Sequence, residues 1–283
     1  MIPICPDYLR SRLLYRDDDT HKGNYGHLLI VAGSEPMPGA AVLATGAALR
    51  SGCGLVTLHS TARALQACVN NFPSAMLSED SGKCISALPE NLEKYSAIAV
   101  GPGLGQSEQT VAVLSGLLRF AHDNRVPTVL DADALNIIST HPDLLDCIPA
   151  GAVLTPHLGE LRRFVSWDSD ANRDEAIRDF CTTHSCNLIF KGFHTKVFTT
   201  DGDLLVNASG NPGMAKGGSG DVLTGLLGGL VARGYDSPTA AALAVWIHGC
   251  AGDALSAVHT AEAYSSRDLI DTLDEGFRTL YLR

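Results

Sequence analysis

Six short apolar segments constrain the fold of this chain more strongly than any other feature of its sequence. They largely lack polar residues at alternate positions, and they are His27–Val31, Gly54–Leu58, Ala97–Val100, Pro127–Leu130, Ala152–Leu154 and Asn187–Phe190. Strands of this kind are buried on both faces, as in a parallel sheet between two layers of helices. Segments with helical spacing, among them Gly39–Ser51 and Glu108–His122, separate them. The alternation predicts an α/β fold with a doubly wound, mostly parallel sheet.

The pattern changes once, late in the chain. Two strand-like segments, Lys196–Thr200 and Asp203–Ala208, flank an Asp-Gly dipeptide. Because Asp-Gly between two strands is a strong signal for a tight turn, we expect an antiparallel hairpin there. Two long helices should follow, roughly Gly220–Arg233 and Ser237–Val258, the second opened by a Ser-Pro start signal.

The composition excludes several classes of protein. Lys and Arg number 21 against 31 Asp and Glu, a formal charge of −10, so no general positive field exists to bind a nucleic acid. No apolar segment is long enough to span a bilayer, and the first residues lack the features of a secretory signal. We therefore expect a cytoplasmic protein with a single domain, residues 1–283, whose first 22 residues form a flexible arm. The eight cysteines show no metal-ligand spacing, which favours free, mostly buried thiols, and we expect His248 and Cys250 to lie in the core.

The segment Ser209–Gly225, SGNPGMAKGGSGDVLTG, is the most informative one for function. It follows a strand-like segment and opens a predicted helix, where glycine lets the backbone adopt positive φ and approach a ligand closely. Gly217, Gly218 and Gly220 would direct amides outward, and the helix adds the positive end of its dipole. The pattern predicts a site for an anion, most naturally a phosphate.

Asp221 falls in the first turn of that helix, beside the predicted phosphate. A carboxylate there would repel the phosphate unless a substrate hydroxyl lies between them and gives its proton to Asp221 while the oxygen attacks phosphorus. We expect the helix dipole to lower the pKa of Asp221, so that orientation of the hydroxyl matters more than basicity. The alternative is that Asp221 is only a favourable first-turn acid and that the glycines serve packing.

Two familiar motifs are absent. The segment Gly217–Asp221 is not the G-x-S-x-G nucleophile elbow, because Asp occupies the last glycine position, and no G-x-x-x-x-G-K-[ST] P-loop occurs. Gly101–Gly105, GPGLG, departs from the dinucleotide fingerprint in its glycine spacing and in the proline inside the turn. We interpret it as a loop that lets a ligand approach the carboxyl end of a strand.

Seven segments in order resemble the ADP- or ATP-dependent NAD(P)H-hydrate dehydratase family. They are KGNYGHLLIVAGS (Lys22–Ser34), PGAAVLATGAALRSGCGLVTL (Pro38–Leu58), GPGLG (Gly101–Gly105), LDADALN (Leu130–Asn136), LTPHLGE (Leu154–Glu160), KGFHT (Lys191–Thr195) and NPGMAKGGSGDVLTG (Asn211–Gly225). The resemblance extends from His21 to about Leu255. It implies a ribokinase-like fold and a hydro-lyase that uses ADP or ATP to dehydrate hydrated NADH or NADPH.

The resemblance also implies roles for single residues. The site for the hydrated dinucleotide would be lined by Ala40, Gly103, His157 and Asp221. The nucleotide would be held by Lys191, Gly192, Phe193, His194 and Thr195, together with Gly217, Gly218, Ser219 and Gly220. Mg²⁺ would accompany the phosphates, although the sequence does not identify its ligands. Assembly as a homotetramer is expected from the same resemblance.

This chain departs from the family pattern at a few points. Met37 stands where relatives commonly carry an aromatic residue before the PGAA segment, and Ser219 stands where threonine is frequent. The epimerase domain that some relatives carry as a fusion is absent from the sequence, so we expect a separate protein to interconvert the epimers of the hydrate.

Simpler explanations exist for several of these side chains. His157 could be a strand-end histidine bonded to backbone, and Lys191 could simply reach solvent, although we favour a phosphate contact. Asp131 and Asp133 could organise a metal or a loop, or could cap the helix that follows them.

The mechanism that the resemblance suggests begins with phosphorylation of the ring hydroxyl, because a phosphate ester is a far better leaving group than hydroxide. With ADP as donor the products are NAD(P)H, AMP and phosphate. Two alternatives stay open. A ribokinase-like kinase acting on a vitamin-precursor alcohol would accumulate a stable phosphate ester, and a nucleotide-binding module would show no turnover. The sequence leaves open the choices between ADP and ATP and between NADH hydrate and NADPH hydrate.

Overall fold

The computed structural model describes residues 1–281, which form ten strands and ten α-helices. The strands are β1 (Ile2–Ile4), β2 (His27–Val31), β3 (Leu55–Thr61), β4 (Met76–Asp80), β5 (Ala97–Val100), β6 (Thr128–Leu130), β7 (Val153–Leu154), β8 (Asn187–Phe190), β9 (Lys196–Phe198) and β10 (Leu204–Asn207). The helices are α1 (Pro6–Arg10), α2 (Pro38–Leu49), α3 (Ala62–Asn71), α4 (Glu108–Asn124), α5 (Asp133–Thr140), α6 (Leu158–Leu161), α7 (Arg173–Thr183), α8 (Ser219–Ala232), α9 (Ser237–Ser256) and α10 (Ser266–Tyr281).

All ten strands belong to one sheet, in the order β1-β10-β9-β8-β7-β6-β5-β2-β3-β4. Neighbouring strands are parallel except where β9 pairs with β8 and with β10. The β9–β10 pair is the hairpin that the Asp-Gly dipeptide predicts, and Gly202 has the positive φ that its turn needs. The predicted fold class, a doubly wound and mostly parallel sheet with a late hairpin, is confirmed.

Successive residues of the central strands face two separate cores. In β2, Leu28 and Ile30 belong to one core, and Leu29 and Val31 belong to the other. Residues of α2, α3, α8, α9 and α10 complete the first core, and residues of α4, α5 and α7 complete the second. Because helices cover both faces, the strands carry apolar residues at successive positions without polar alternation.

The strand order reverses between β2 and β5. From β2 the chain continues through β3 to β4 at one edge, whereas from β5 it continues through β6 and β7 to β8 in the opposite direction. The connecting helices correspondingly pack on opposite faces, as right-handed crossovers in opposite directions require. The loops that leave the carboxyl ends of β2 and β5 therefore separate and open a crevice, which is where ligands bind in sheets of this type.

The six predicted apolar strands are confirmed as β2, β3, β5, β6, β7 and β8, and the predicted helices as α2, α4, α8 and α9, with ends that differ by a few residues. Strands β1 and β4 and helices α1 and α10 were not predicted. β1 is only three residues long, and four of the five residues of β4 are not fully buried, so neither carries the apolar pattern of a central strand.

The predicted flexible arm over residues 1–22 is wrong for its first part. Ile2–Ile4 pair with Leu205–Asn207 of β10, and both Ile4 and Leu9 are buried in the first core. The Arg10 guanidinium also donates to two carbonyls near the end of α10. The start of the chain is therefore a structural part of the sheet, beyond the hairpin.

The remaining predictions concern the cysteines, His248 and membrane-spanning helices. All eight cysteines are free, as predicted, but only Cys68, Cys181 and Cys186 are buried, so the expectation of mostly buried thiols is wrong. His248 is buried as predicted, whereas Cys250 is half-buried. None of the helices within residues 1–281 combines the length and the apolar character needed to cross a membrane.

Helices α2 and α8 approach each other closely through glycine. A Cβ atom placed on Gly225 would lie 1.9 Å from the carbonyl oxygen of Ala44, and one placed on Gly229 would lie 2.0 Å from the Ser51 hydroxyl. The glycines in the body of α8 thus serve packing, and they set the position at which this helix begins relative to the sheet.

Gly225→Ala should lower the free energy of unfolding by about 1–3 kcal/mol, because the two helices must separate to admit one methyl group. The matched control is Gly39→Ala in α2, where a Cβ would have no neighbour within 4 Å. That substitution should leave stability unchanged or slightly raised, since alanine is the better helix former. Urea denaturation of both variants checks the prediction, and equal losses would contradict it.

Candidate active site

The sequence-predicted site residues lie at the carboxyl edge of the sheet. The GPGLG loop leaves β5, Asp131 follows β6, His157 follows β7 and Lys191 follows β8. Backbone contacts continue past the strands, since His157 and Lys191 form a parallel bridge and the Lys191 amide donates to the Pro156 carbonyl at 3.0 Å. Parallel strands bring their carboxyl ends to one edge, and α8 begins at the same edge.

Ala40 and Gly103 meet in the crevice between β2 and β5. Gly103 has φ +63°, and a Cβ atom there would lie 2.9 Å from the Ala40 Cβ and 3.0 Å from the Met37 Cβ. The Ser34 hydroxyl fixes this turn by donating to the Gly103 carbonyl at 2.7 Å. Two of the residues predicted to line the dinucleotide site are therefore in contact, with Met37 beside them.

The GPGLG loop is also tied to the end of β6. A Cβ on Gly101 would lie 1.8 Å from the carbonyl oxygen of Asp131, so the first glycine permits this close approach. The Asp133 carboxylate accepts the Gly105 amide at 2.9 Å and the Gln106 amide group at 3.2 Å. Asp133 therefore organises the loop.

The alternative of helix capping by Asp131 or Asp133 is wrong. The N-cap of α5 is Ala132, which makes no capping side-chain bond and has φ +47°. A non-glycine residue in this region is strained by roughly 1–3 kcal/mol, and strained backbone tends to occur at functional sites.

The glycine turn before α8 has the properties of an anion site. Gly218 is the N-cap residue with φ +91°, which places the following amides at the start of the helix. Within residues 1–281, the amides of Gly218, Gly220 and Asp221 have no backbone acceptor. A Cβ on Gly217 would have no neighbour within 4 Å, so packing does not explain that glycine. Unpaired amides at the positive end of a helix dipole favour a bound anion.

Ser219, which is predicted to help hold the nucleotide, is the first residue of α8. It is buried, and its hydroxyl lies 3.4 Å from Nε2 of His248 on α9. Burial lowers the pKa of His248 to about 4, so the imidazole is neutral at pH 7. The hydroxyl of Ser219 thus faces the protein interior, and the role predicted for it in holding a nucleotide stays a prediction.

A buried network lies directly behind the first turn of α8. The Asp131 side chain is only 2% exposed. Its Oδ1 accepts a hydrogen bond from the Lys191 ammonium at 2.7 Å, and its Oδ2 accepts one from the Thr224 hydroxyl at 2.6 Å. Although burial alone would raise it, the Lys191 ammonium holds the pKa of Asp131 below its ordinary value. Burial likewise disfavours the charged Lys191, but the Asp131 and Glu160 carboxylates raise its pKa. The pair is therefore charged at pH 7.

Asp221 has a different protonation from the one predicted. Its pKa is raised to about 7: burial is the largest cause, the Asp131 and Asp133 carboxylates add to the increase, and the Lys191 ammonium opposes it. The expectation that the helix dipole lowers this pKa is wrong, because desolvation and two nearby carboxylates outweigh it. Asp221 therefore exchanges a proton near neutral pH, as a general base should.

His157 and Glu160 bond to each other at the start of α6. Nδ1 of His157 accepts the Glu160 amide at 3.2 Å, and the Glu160 carboxylate accepts the His157 amide at 2.9 Å. The simpler explanation for His157 was a histidine bonded to backbone at the end of a strand. It holds for Nδ1, which is bonded to the Glu160 amide. The imidazole itself is 58% exposed at the edge of the site.

The remaining residues of the KGFHT segment form the exposed turn between β8 and β9. Phe193 is 87% exposed and its ring lies 3.9 Å from that of His194, which has φ +55°. The Thr195 hydroxyl donates to the Gly192 carbonyl within the same turn. Lys191 alone of the segment enters the buried network, so nucleotide binding by Gly192–Thr195 stays a prediction.

The side chains near Asp221 do not build a metal cage of their own. Residues 1–281 contain no group of three or more His, Cys, Asp or Glu side chains that could hold a metal ion. Mg²⁺, however, commonly binds through phosphate oxygens and water with only one or two carboxylates. The site therefore fits a Mg²⁺ that arrives with a nucleotide.

Sequence patterns alone did not single out several residues of this site. Thr224 lies three positions after Asp221 and so on the same face of α8, which is a signal that spacing could have given. Tyr264 and Ser266 hold the glycine turn from far along the chain, since Ser266 donates to the Gly217 carbonyl at 2.7 Å and Tyr264 to the Asn211 side chain at 2.6 Å. No local signal predicts contacts between segments so distant in sequence.

Residues 28–275 match the NAD(P)H-hydrate dehydratase family. The chain belongs to this family. It is 34% identical over 271 residues to the ADP-dependent (S)-NAD(P)H-hydrate dehydratase of Bacillus subtilis, covering 94% of each chain. It is 37% identical over 246 residues to the protein of the same name from Neisseria meningitidis serogroup B, covering 85% of this chain and 80% of that one. The resemblance drawn from the seven segments is confirmed.

A solved structure of another dehydratase-family chain has the same fold. The ADP/ATP-dependent NAD(P)H-hydrate dehydratase of Bacillus subtilis, co-crystallised with ATP and Mg²⁺, superposes with a TM-score of 0.86 at 31% identity, covering 99% of this chain and 98% of that one. Other relatives are longer. This chain spans 53% of the bifunctional NAD(P)H-hydrate repair enzyme of Moorella thermoacetica, to which it is 36% identical over 96% of its own length.

Removal of the cation from the buried network should destabilise this dehydratase-family fold strongly. Lys191→Met should lower the free energy of unfolding at pH 7 by about 3–5 kcal/mol, because Asp131 would keep a buried charge without a partner. The matched control is Arg278→Met, since Arg278 pairs with Asp274 at the surface, where the two side chains are 55% and 70% exposed. There the loss should be below about 1 kcal/mol. Comparable losses in urea denaturation would contradict the prediction.

Asp221→Asn should stabilise the protein at pH 8 and change its stability little at pH 4. Because the pKa of Asp221 rises from 3.8 to about 7 on folding, the ionised carboxylate opposes folding increasingly between those values. Asparagine removes that charge, so the gain should reach roughly 1–3 kcal/mol at pH 8 after allowance for partial exposure. Urea denaturation at several pH values measures it, with exposed Asp123→Asn as the control. A gain independent of pH would argue against the raised pKa.

Proposed function

We propose that this protein dehydrates hydrated NADH or NADPH and consumes ADP or ATP in doing so. The single observation that carries the proposal is the position of Asp221, a carboxylate with a pKa of about 7 beside the unpaired amides at the start of α8. Family membership supports the choice of substrate, since relatives from Neisseria meningitidis and Bacillus subtilis bear the name ADP-dependent (S)-NAD(P)H-hydrate dehydratase.

The first step is phosphoryl transfer to the ring hydroxyl. Asp221 accepts the hydroxyl proton, and the oxygen attacks the terminal phosphorus of the nucleotide. The rest of the nucleotide is the leaving group, AMP when the donor is ADP and ADP when the donor is ATP. A base whose pKa is near 7 is largely deprotonated at physiological pH and still accepts a proton readily. The amides of Gly218 and Gly220, with the nearby Lys191 ammonium, would stabilise charge on the transferred group.

The second step is loss of phosphate. The lone pair of the ring nitrogen forms a new bond to the adjacent carbon as the carbon–oxygen bond to phosphate breaks, and the neighbouring carbon then gives up a proton. The products are the reduced nicotinamide and phosphate, so the hydroxyl oxygen leaves with the phosphate. Phosphorylation is needed because hydroxide itself is a poor leaving group.

The two substrates would occupy adjacent parts of the carboxyl edge. We assign the hydrated ring to the crevice at Ala40 and Gly103, between Asp221 and His157. The nucleotide is assigned to the segment Lys191–Thr195 and to the glycine turn Gly217–Gly220, including Ser219. Mg²⁺ would accompany the nucleotide and neutralise its phosphates, and the Bacillus subtilis structure obtained with ATP and Mg²⁺ supports this pairing.

The wider context of the reaction is proposed from the family alone. The protein would act in the cytoplasm as a homotetramer, with residues 1–283 forming one dehydratase domain. A separate epimerase would interconvert the epimers of the hydrate. Bifunctional relatives that are about twice as long support a link between two activities on these hydrates.

Incubation with hydrated NADH or hydrated NADPH, Mg²⁺ and either ADP, ATP or no nucleotide tests the reaction. The return of reduced-nicotinamide absorbance should depend on nucleotide, and it identifies both the donor and the preferred hydrate. No return with either nucleotide would refute the dehydratase proposal. A phosphate ester that accumulates without release of phosphate would identify a kinase.

Asp221→Asn should lower kcat by about 10²–10⁴-fold and leave nucleotide affinity nearly unchanged, because the amide cannot accept the hydroxyl proton. In the wild type, kcat should rise with pH through about 7 as Asp221 loses its proton, and then level off. The control is Asp123→Asn on the exposed face of α4, which should retain full turnover. Near-normal turnover of Asp221→Asn would exclude the proposed role.

A further inference from the structure

Asp131 is bonded to two segments that must hold their relative positions for the proposed reaction. One of its oxygens accepts a hydrogen bond from the Lys191 ammonium after β8, and the other accepts one from the Thr224 hydroxyl on α8. The side chain is 2% exposed, so water does not replace either contact readily.

The contact with Thr224 fixes the orientation of the first turns of α8. Thr224 lies three residues after Asp221, almost one helical turn, so the two side chains project from the same face of the helix. The hydrogen bond at Thr224 therefore adds to the packing of α8 a polar contact that fixes the rotation of its first turns about the helix axis. That rotation decides where the Asp221 carboxylate points.

The contact with Lys191 fixes the nearest cation to Asp221. A Cβ atom on Gly220 would lie 3.3 Å from the Lys191 ammonium and 3.7 Å from the Asp131 carboxylate, so both charges lie against the residue before Asp221. An ammonium has three donors, and Asp131 accepts one of them. Lys191 can thus remain paired with Asp131 and still donate to a phosphate oxygen.

We propose that Asp131 is a positioning residue for the phosphoryl-transfer step: by holding Lys191 and Thr224 at once, it fixes the place of the Asp221 carboxylate and of the cation beside it. The inference rests on the proposed function. Because the Asp131 side chain is 2% exposed and lies behind the first turn of α8, we place it behind the reacting atoms and not in contact with them. It acts through Asp221 and Lys191.

The charges that face Asp221 give this proposal a pH signature. They are Asp131 after β6, Asp133 on α5 and Lys191 after β8, while α9 contributes His248, which is neutral at pH 7 and bonds to Ser219. Removal of the Asp131 charge takes away one carboxylate that disfavours ionised Asp221 and leaves the Lys191 cation without its partner. Both changes favour the ionised form of Asp221.

Asp131→Asn tests the proposal through the pH profile of turnover. The acid limb of kcat should move to lower pH by about one unit or more, while kcat on the plateau falls about tenfold or more. Loss of activity with an unmoved acid limb would mean that Asp131 is only structural, and an unchanged profile would mean that it has no role. Either result overturns the proposal.

Thr224→Val and Thr224→Ser keep the test decisive where Asp131→Asn folds poorly. Valine removes the hydroxyl that Asp131 accepts and keeps the shape, so kcat should fall about fivefold or more with the KM for ADP nearly unchanged. Serine keeps the hydroxyl and should restore kcat to within about twofold of the wild type. Equal kcat for valine and threonine would overturn the positioning role.

A titration that does not depend on turnover separates this inference from the proposed function. The carboxyl resonance of Asp221, assigned by its loss in Asp221→Asn, can be followed by ¹³C NMR in the wild type and in Asp131→Asn. A lower midpoint in Asp131→Asn supports the coupling, and an unchanged midpoint refutes it. Absence of nucleotide-dependent dehydration by the wild type would refute only the proposed function.

Discussion

The buried pair between Asp131 and Lys191 is the interaction on which the arrangement of the site depends. It joins the end of a central strand to the end of a strand two places away in the sheet, and Thr224 extends it to the helix that carries Asp221. A buried pair of this kind contributes little net stability over an apolar alternative, because desolvation offsets most of the attraction. Its retention is better explained by the geometry that it imposes.

The same network explains why Asp221 carries an unusual protonation equilibrium. Its carboxylate is partly removed from water and lies near two other carboxylates, with one cation that is already committed to Asp131. The folded protein therefore holds a destabilising charge where the proposed chemistry needs a base. A site that is strained in this way is typical of enzymes, in which stability is given up locally for reactivity.

Much of the fold could be predicted from local pattern. The strands β2 and β5 are apolar along almost their whole length because helices cover both of their faces, and the Asp-Gly dipeptide predicts the hairpin that follows β8. Strands β1 and β4 escaped prediction because they lie at the edges of the sheet, where burial is incomplete and no apolar pattern is required. The first residues of the chain were missed because their partners lie in β10 and α10, far along the sequence. Helix α10 has the apolar spacing of an amphipathic helix, with Leu269, Ile270 and Leu273 buried on one face, so local pattern could have predicted it.

The sequence by itself determined the fold class, the family and the glycine turn, and it led to the proposal of Asp221 as the central carboxylate, because these depend on residue types at short spacing. Only the tertiary structure decided the protonation of Asp221 and the partners of Asp131, since both depend on charges brought together from β6, β8, α5 and α8. The short-range rule that a helix N-terminus lowers the pKa of a carboxylate fails at Asp221. Burial and neighbouring charges, which no local pattern encodes, are larger.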